Sequence, residues 1–187
     1  MLKKSGSLSF ILFAGGLFAF GPLSTDMYIP SLPTLAQALD TTVPAVQLTL
    51  SVYLLGFALS QLFYGPIADR YGRKPAILIG IALYIGGSAI CMSAGSIETL
   101  VVGRFIQALG AAFGQVLGRA VIRDLVTPAE SARVLAYATV IMAGTSLVTP
   151  TIGGFVTVFL GWPYIFAVLL AYASLYFLIV LFWFHES

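Results

Sequence analysis

Two residues of this chain carry charge where charge is costly. Asp26 stands in GPLSTDMYIPSLP, residues 21–33, near the end of an apolar run that begins at Leu8. Arg104 stands in LVVGRFIQALGAAFG, residues 100–114, inside another such run. A carboxylate near a fixed guanidinium can act as a charge switch, because the opposite charge favours the ionised form while burial opposes it. This is coupling chemistry rather than bond-making chemistry. His185 is the one histidine, beside Glu186, and it reads as an interfacial residue. With no metal-ligand cluster and no nucleophile–base spacing in the sequence, no enzyme is expected.

The elements that hold such charges follow from composition. The chain is 59% apolar and 9% charged, against roughly 25% charged in an ordinary soluble domain. Nine basic and seven acidic side chains cannot cover that much apolar surface in water. The expected class is an integral membrane protein. A net charge of +2, scattered along the chain, gives no reason to expect a nucleic-acid partner. Cys91, the single cysteine, can form no internal disulfide.

About 20 apolar residues are needed to cross a bilayer as a helix. That length predicts six spans over residues 9–30, 46–66, 76–95, 98–119, 132–155 and 163–184. Barrel strands would be about half as long and would alternate apolar with polar residues. A cleaved leader is the alternative for residues 1–21, but the apolar run continues past Gly21 to Ile29. Lys3, Lys4, Arg70, Arg73, Lys74, Arg119, Arg123 and Arg133 all fall on one side of this arrangement, and the loops on the other side hold no Lys or Arg. The positive-inside rule then places both termini in the cytoplasm. Short loops leave no soluble domain, so residues 1–187 form one six-helix bundle, with two inverted groups of three as a possible internal plan.

At 1.5 Å rise per residue, Asp26 and Arg104 fall at nearly the same depth on antiparallel helices. Either side chain would cost several kcal/mol facing lipid, so each is expected to face the bundle interior or water, the alternatives being an interfacial cap on the first span for Asp26 and snorkelling to the outer surface for Arg104. On the fourth span, Arg104, Gln107, Ala111 and Gln115 form one stripe at helical spacing, read as lining an aqueous cavity, with a packed polar network as the alternative. Gly103, Gly110, Gly114 and Gly118 form a seam beside it, where a neighbouring helix can approach closely.

Two further stretches point to movement. In GTSLVTPTIGG, residues 144–154, Pro150 predicts a bend, with Gly144, Gly153 and Gly154 allowing close helix contact around it. In GPIADRYGRKP, residues 65–75, Gly65 and Asp69 lie four apart at a helix end, followed by Arg70, Gly72, Arg73 and Lys74. Asp69 is badly placed against the dipole of its own helix and suits the N-terminus of another. Gly72 permits a tight turn, and Pro75 suits the first turn of the next span.

These motifs resemble the major facilitator superfamily, and more narrowly its drug:proton antiporters of the bicyclomycin and chloramphenicol resistance type. GPIADRYGRKP is similar to the superfamily loop signature at Gly65, Asp69, Arg70, Gly72, Arg73 and Lys74. LVVGRFIQALGAAFG looks like its fourth-helix signature, with Arg104, Gln107 and Gly110 in register. GTSLVTPTIGG resembles the fifth-helix antiporter signature, departing at Thr149, where a glycine is usual. STDMYIPSLP, residues 24–33, looks like the first-helix signature of the drug-resistance subgroup.

The resemblance implies an all-α, polytopic protein of the cell (inner) membrane. It implies export of small amphipathic compounds in exchange for protons, with no bound cofactor and the proton gradient as driving force. Asp26 would be the proton or cationic-substrate site, with Arg104 as its modulator and Gln107 and Gln115 beside them. Asp124 in RAVIRD would pair with Arg73, and the kinked fifth helix would belong to the rocking interface. Family members have twelve spans in two six-helix halves. The expectation is therefore that the C-terminal half is absent here, so that the chain is a piece of a longer transporter or associates with a second copy. The alternative is a non-transporting membrane protein, either a truncated remnant or an assembly partner of a full transporter.

Overall fold

The computed structural model describes residues 7–184. Lys3, Lys4, His185 and Glu186 lie outside the described residues. Helices long and apolar enough to cross a membrane number six among the described residues, in the order predicted. The first is compound. Helix α1 (Leu8–Asp26) starts on Ser7, whose hydroxyl accepts from the Phe10 amide. A 3-10 turn, Ile29–Ser31, and α2 (Leu32–Ala38) follow it. Pro30 and Pro33 lack amide donors, so the helix is rebuilt in short pieces after Asp26. Asp26 therefore sits at an internal break of the span, which continues to Ala38 rather than ending near residue 30.

The second span is α3 (Val43–Tyr71), capped by Thr42 and running through Pro66. Gly72, at φ 97°, makes the turn into α4 (Arg73–Met92), a conformation that a side chain would strain. The fourth span is α5 (Ile97–Ala111) and α6 (Phe113–Leu125), with the helical pattern interrupted at Ala112. Helix α7 (Pro128–Phe159) begins with a capping box, in which Thr127 accepts from the Glu130 amide and Glu130 reaches back to the Thr127 amide. That early start reduces the predicted link over residues 120–131 to Val126 and Thr127. Helix α7 continues through Pro150 without interruption. The last span is α8 (Pro163–Trp183).

The glycine seam on the fourth span is a packing surface, as its spacing predicts. A Cβ on Gly114 would lie 2.0 Å from the Leu17 carbonyl oxygen, and one on Gly110 would lie 2.3 Å from the Tyr84 amide nitrogen. Gly103 lies against Cys91, and Gly118 against Phe18. One seam thus brings α5 onto α4 and α6 onto α1, placing the fourth span at the centre of the bundle. Close backbone approach is the main source of association between helices in lipid, which offers no hydrophobic gain. The first span packs on α7 as the fourth packs on α3, and α4 packs on α8. Exchanging the two groups of three maps these pairings onto one another, whereas the extensive α4–α5 contact has no counterpart between α8 and α1 among the described residues. Leu62, Phe63, Leu147, Phe155, Val158 and Phe159 present apolar surface on α3 and α7 outside this core.

Candidate functional site

Arg104 is completely buried in the middle of the bundle. Its Nη1 donates to the Ser24 carbonyl at 3.1 Å and to Gln107 Oε1 at 2.6 Å. Gln107 Nε2 donates in turn to Ser88 Oγ at 2.8 Å, tying α5 to α4. Ser24 shares a 2.5 Å hydrogen bond with the Tyr84 hydroxyl. The rings of Tyr28 and Tyr53 cover the guanidinium at 4.4 and 4.2 Å. Tyr28 is held by Thr49 at 2.6 Å. A desolvated cation between aromatic faces gains about 2 kcal/mol or more per favourable ring, offsetting part of the cost of burial. Even so, Nε and Nη2 have no hydrogen-bond partner among the described residues.

Asp26 is in a different setting. Its carboxylate accepts from Thr25 Oγ1 at 3.0 Å, and no ion pair joins it to Arg104 among the described residues. It lines an open cavity of about 220 Å³ with Thr25, Tyr53, Phe57, Gln115 and Ser146. The helices α1, α3, α6 and α7 all contribute walls. The Tyr53 and Phe57 rings stack at 6.2 Å on one side, and the polar groups come from the others. The volume is below the roughly 300–1,000 Å³ of a complete small-molecule pocket.

The predicted polar stripe is thus divided. Gln115 lines the cavity, while Arg104, Gln107 and Ala111 lie in the packed interior. For these three the packed network replaces the predicted aqueous lining. The physical reason is the adjoining glycine seam, which draws α5 closely onto α4 and leaves Arg104 and Gln107 fully buried. Arg104 still meets the first span close to Asp26, through the carbonyl two residues before it.

The basic end of the bundle holds a second cluster. Arg73 donates from Nη1 to Asp69 at 2.7 Å and from Nε to Asp124 at 3.0 Å, joining α3, α4 and α6. The Arg73–Asp124 pair is the predicted one. The bond from Asp69 to Arg73 supplies the partner that sequence reasoning had sought at another helix N-terminus, since Arg73 opens α4. Lys74 donates to the Leu181 carbonyl at 2.9 Å near the C-terminal end of α8, where a cation suits the helix dipole. Arg70 lies over the Tyr71 ring at 5.3 Å. Gly65 and Gly144 face open space, so Gly144 is not the close contact that its motif predicts. Gly153 is one, because a Cβ there would lie 2.2 Å from the Met27 carbonyl oxygen. Gly154 only grazes Pro30, and Pro150 is exposed beside the buried Thr149.

Sequence reasoning missed Ser24, Tyr28, Tyr53, Tyr84 and Ser88, which build the cage around Arg104. The available signal was a set of hydroxyls within apolar runs, but one helix pattern cannot tell which of them converge from different spans.

The profile of the Major Facilitator Superfamily matches residues 7–187. A bicyclomycin resistance protein homolog of Haemophilus influenzae is 35% identical over 96% of this chain and 46% of its own length. An uncharacterized MFS-type transporter of Bacillus subtilis, YdgK, is 38% identical over 95% of this chain and 44% of its own. Multidrug resistance protein D of Escherichia coli is 30% identical over 86% and 41%. The chain spans less than half the length of these relatives. The crystal structure of a double tryptophan mutant of XylE superposes with a TM-score of 0.84 at 16% identity, covering 96% of this chain and 45% of that one. The chain is a multi-pass membrane protein that belongs to the major facilitator superfamily and forms one six-helix half of its fold.

Proposed function

We propose that the chain is the N-terminal half of a transporter that exports small amphipathic, drug-like compounds in exchange for protons. The observation that carries this reading is a carboxylate, Asp26, in an open, partly aromatic cavity within a membrane span. Ionised, it attracts a cationic substrate; protonated, it releases one, and the proton gradient drives the exchange. Tyr53 and Phe57 supply apolar contact for the substrate body, and Gln115, Thr25 and Ser146 supply hydrogen bonds. The names of the Haemophilus and Escherichia relatives support a drug-like substrate. The small cavity volume fits one wall of a site completed by a second half, whether a C-terminal segment or another copy.

In this reading both termini are cytoplasmic, and membrane lipid surrounds α3 and α7 outside the half–half contact. The Asp69–Arg73–Asp124 cluster holds the state closed on the cytoplasmic side, with Gly65, Arg70, Gly72 and Lys74 shaping that end. Gly144, Pro150, Gly153 and Gly154 on α7 belong to the rocking interface. The test is energised efflux of a fluorescent lipophilic cation by a twelve-span protein containing this half. Efflux should stop when a protonophore collapses the gradient. Efflux that persists without a proton gradient would contradict the proposal.

A further inference from the structure

We infer that Tyr53 is the positioning residue that decides whether the charge of Arg104 reaches the Asp26 cavity. The inference rests on the proposed role of Asp26 but concerns a residue that role does not require. Tyr53 lines the cavity and its ring covers the guanidinium at 4.2 Å, whereas Arg104 is not among the lining residues. The ring is therefore the partition between the two. What lies behind it is chemically unfinished. Nε and Nη2 are the partnerless nitrogens of Arg104, and their N–H groups share the guanidinium edge that receives a carboxylate through two parallel bonds. Nη1 is occupied by Ser24 and Gln107, and the Tyr28 ring also lies against the guanidinium, at 4.4 Å. The two remaining nitrogens are left without a carboxylate.

The surrounding groups make the consequence directional. Asp26 is the acid on α1, and Tyr28 follows it; Tyr53 comes from α3, Tyr84 and Cys91 from α4, and Arg104 from α5. Helices α6 and α7 contribute the uncharged Gln115 and Ser146 to the cavity. Arg104 is thus the only cation in this set. With Tyr53 in place, the Asp26 carboxylate is kept from it and can exchange protons with the cavity. With the ring removed, the carboxylate itself can reach the partnerless nitrogens, and the ionised acid is held. An opposite charge at about 4–6 Å typically lowers a carboxylate's proton affinity by roughly tenfold or more.

The test uses the full chain in lipid nanodiscs and two readouts, neither of which needs drug transport. Phenylglyoxal, an arginine-directed dicarbonyl, is followed by peptide mass spectrometry. In the wild type and in Tyr53→Phe, Arg104 should stay unmodified while the exposed Arg70 and Arg123 react. In Tyr53→Ala, Arg104 should react at least about tenfold faster. Infrared difference titration against Asp26→Asn then isolates the Asp26 carboxyl band. Its midpoint should fall by about one pH unit or more in Tyr53→Ala and hold in Tyr53→Phe. Arg104 reacting equally in the wild type, or remaining inert in Tyr53→Ala, would overturn the partition. A band midpoint unmoved while Arg104 becomes reactive would overturn the electrostatic role. Failure of proton-coupled efflux would count against antiport without altering either readout.

Discussion

Arg104 bonds the first span two residues from Asp26 without bonding Asp26 itself. The guanidinium donates to the carbonyl of Ser24 at 3.1 Å, while the Asp26 carboxylate accepts from Thr25 at 3.0 Å and lines the cavity. Arg104 is held by a carbonyl, a glutamine and two aromatic rings, none of which must titrate during a transport cycle. Asp26 can therefore change charge without dismantling the centre of the bundle.

That separation predicts a quiet Asp26→Asn variant in stability terms. No ion pair is broken, so the thermal unfolding midpoint in detergent should match the wild type, with a change below about 0.5 kcal/mol. Arg104→Leu should be strongly destabilised, because Gln107 and the Ser24 carbonyl lose a buried partner. Equal stability of these two variants would contradict the assignment of structure to one residue and switching to the other.

The glycine seam gives a sharper stability contrast. Gly114→Ala should cost roughly 1–3 kcal/mol through overpacking, since the Leu17 carbonyl 2.0 Å from the added carbon is backbone and cannot rotate away. Gly144→Ala, which meets nothing within 4 Å, should be neutral in this half. Thermal unfolding of purified variants checks both.

At the basic end, Asp124→Asn should scarcely affect stability, as a partly exposed pair is worth under about 1 kcal/mol. In a twelve-span protein it should nevertheless slow proton-driven export in everted vesicles, and Asp124→Glu should restore the rate. Arg73 is shared with Asp69, so the cluster loosens rather than opens. Wild-type transport by Asp124→Asn would remove the gating role.

Residues 1–187 expressed alone should insert in the membrane and give no drug-resistance phenotype, because alternating access needs two halves. Cation efflux above that of empty membranes would favour a working assembly of two copies instead.

Much of the fold was legible because lipid imposes simple rules on sequence. Apolar length set the six spans, and the Gly103–Gly118 seam named the face on which the fourth would pack. Arg73 and Asp124 were legible as a pair because a motif carries them. The division of the polar stripe was not legible. Arg104 and Gln115 share a helix face, and whether that face meets water depends on how closely α4 approaches, a property of another helix. Tyr53 was hidden for the same reason, since an aromatic residue in an apolar span looks like core until a cavity and a cation are found on either side of it. The helix break at Asp26 was written in Pro30 and Pro33, but the continuation to Ala38 depended on helix rebuilding after them.

The central claim is that Asp26 gives up a proton when substrate binds. The direct measurement is proton release on adding a lipophilic cation to detergent-purified twelve-span protein in weak buffer with a pH indicator, wild type against Asp26→Asn. The wild type should release protons with a substrate dependence that saturates, and Asp26→Asn should release none; equal release from both would show that Asp26 does not carry the coupled proton.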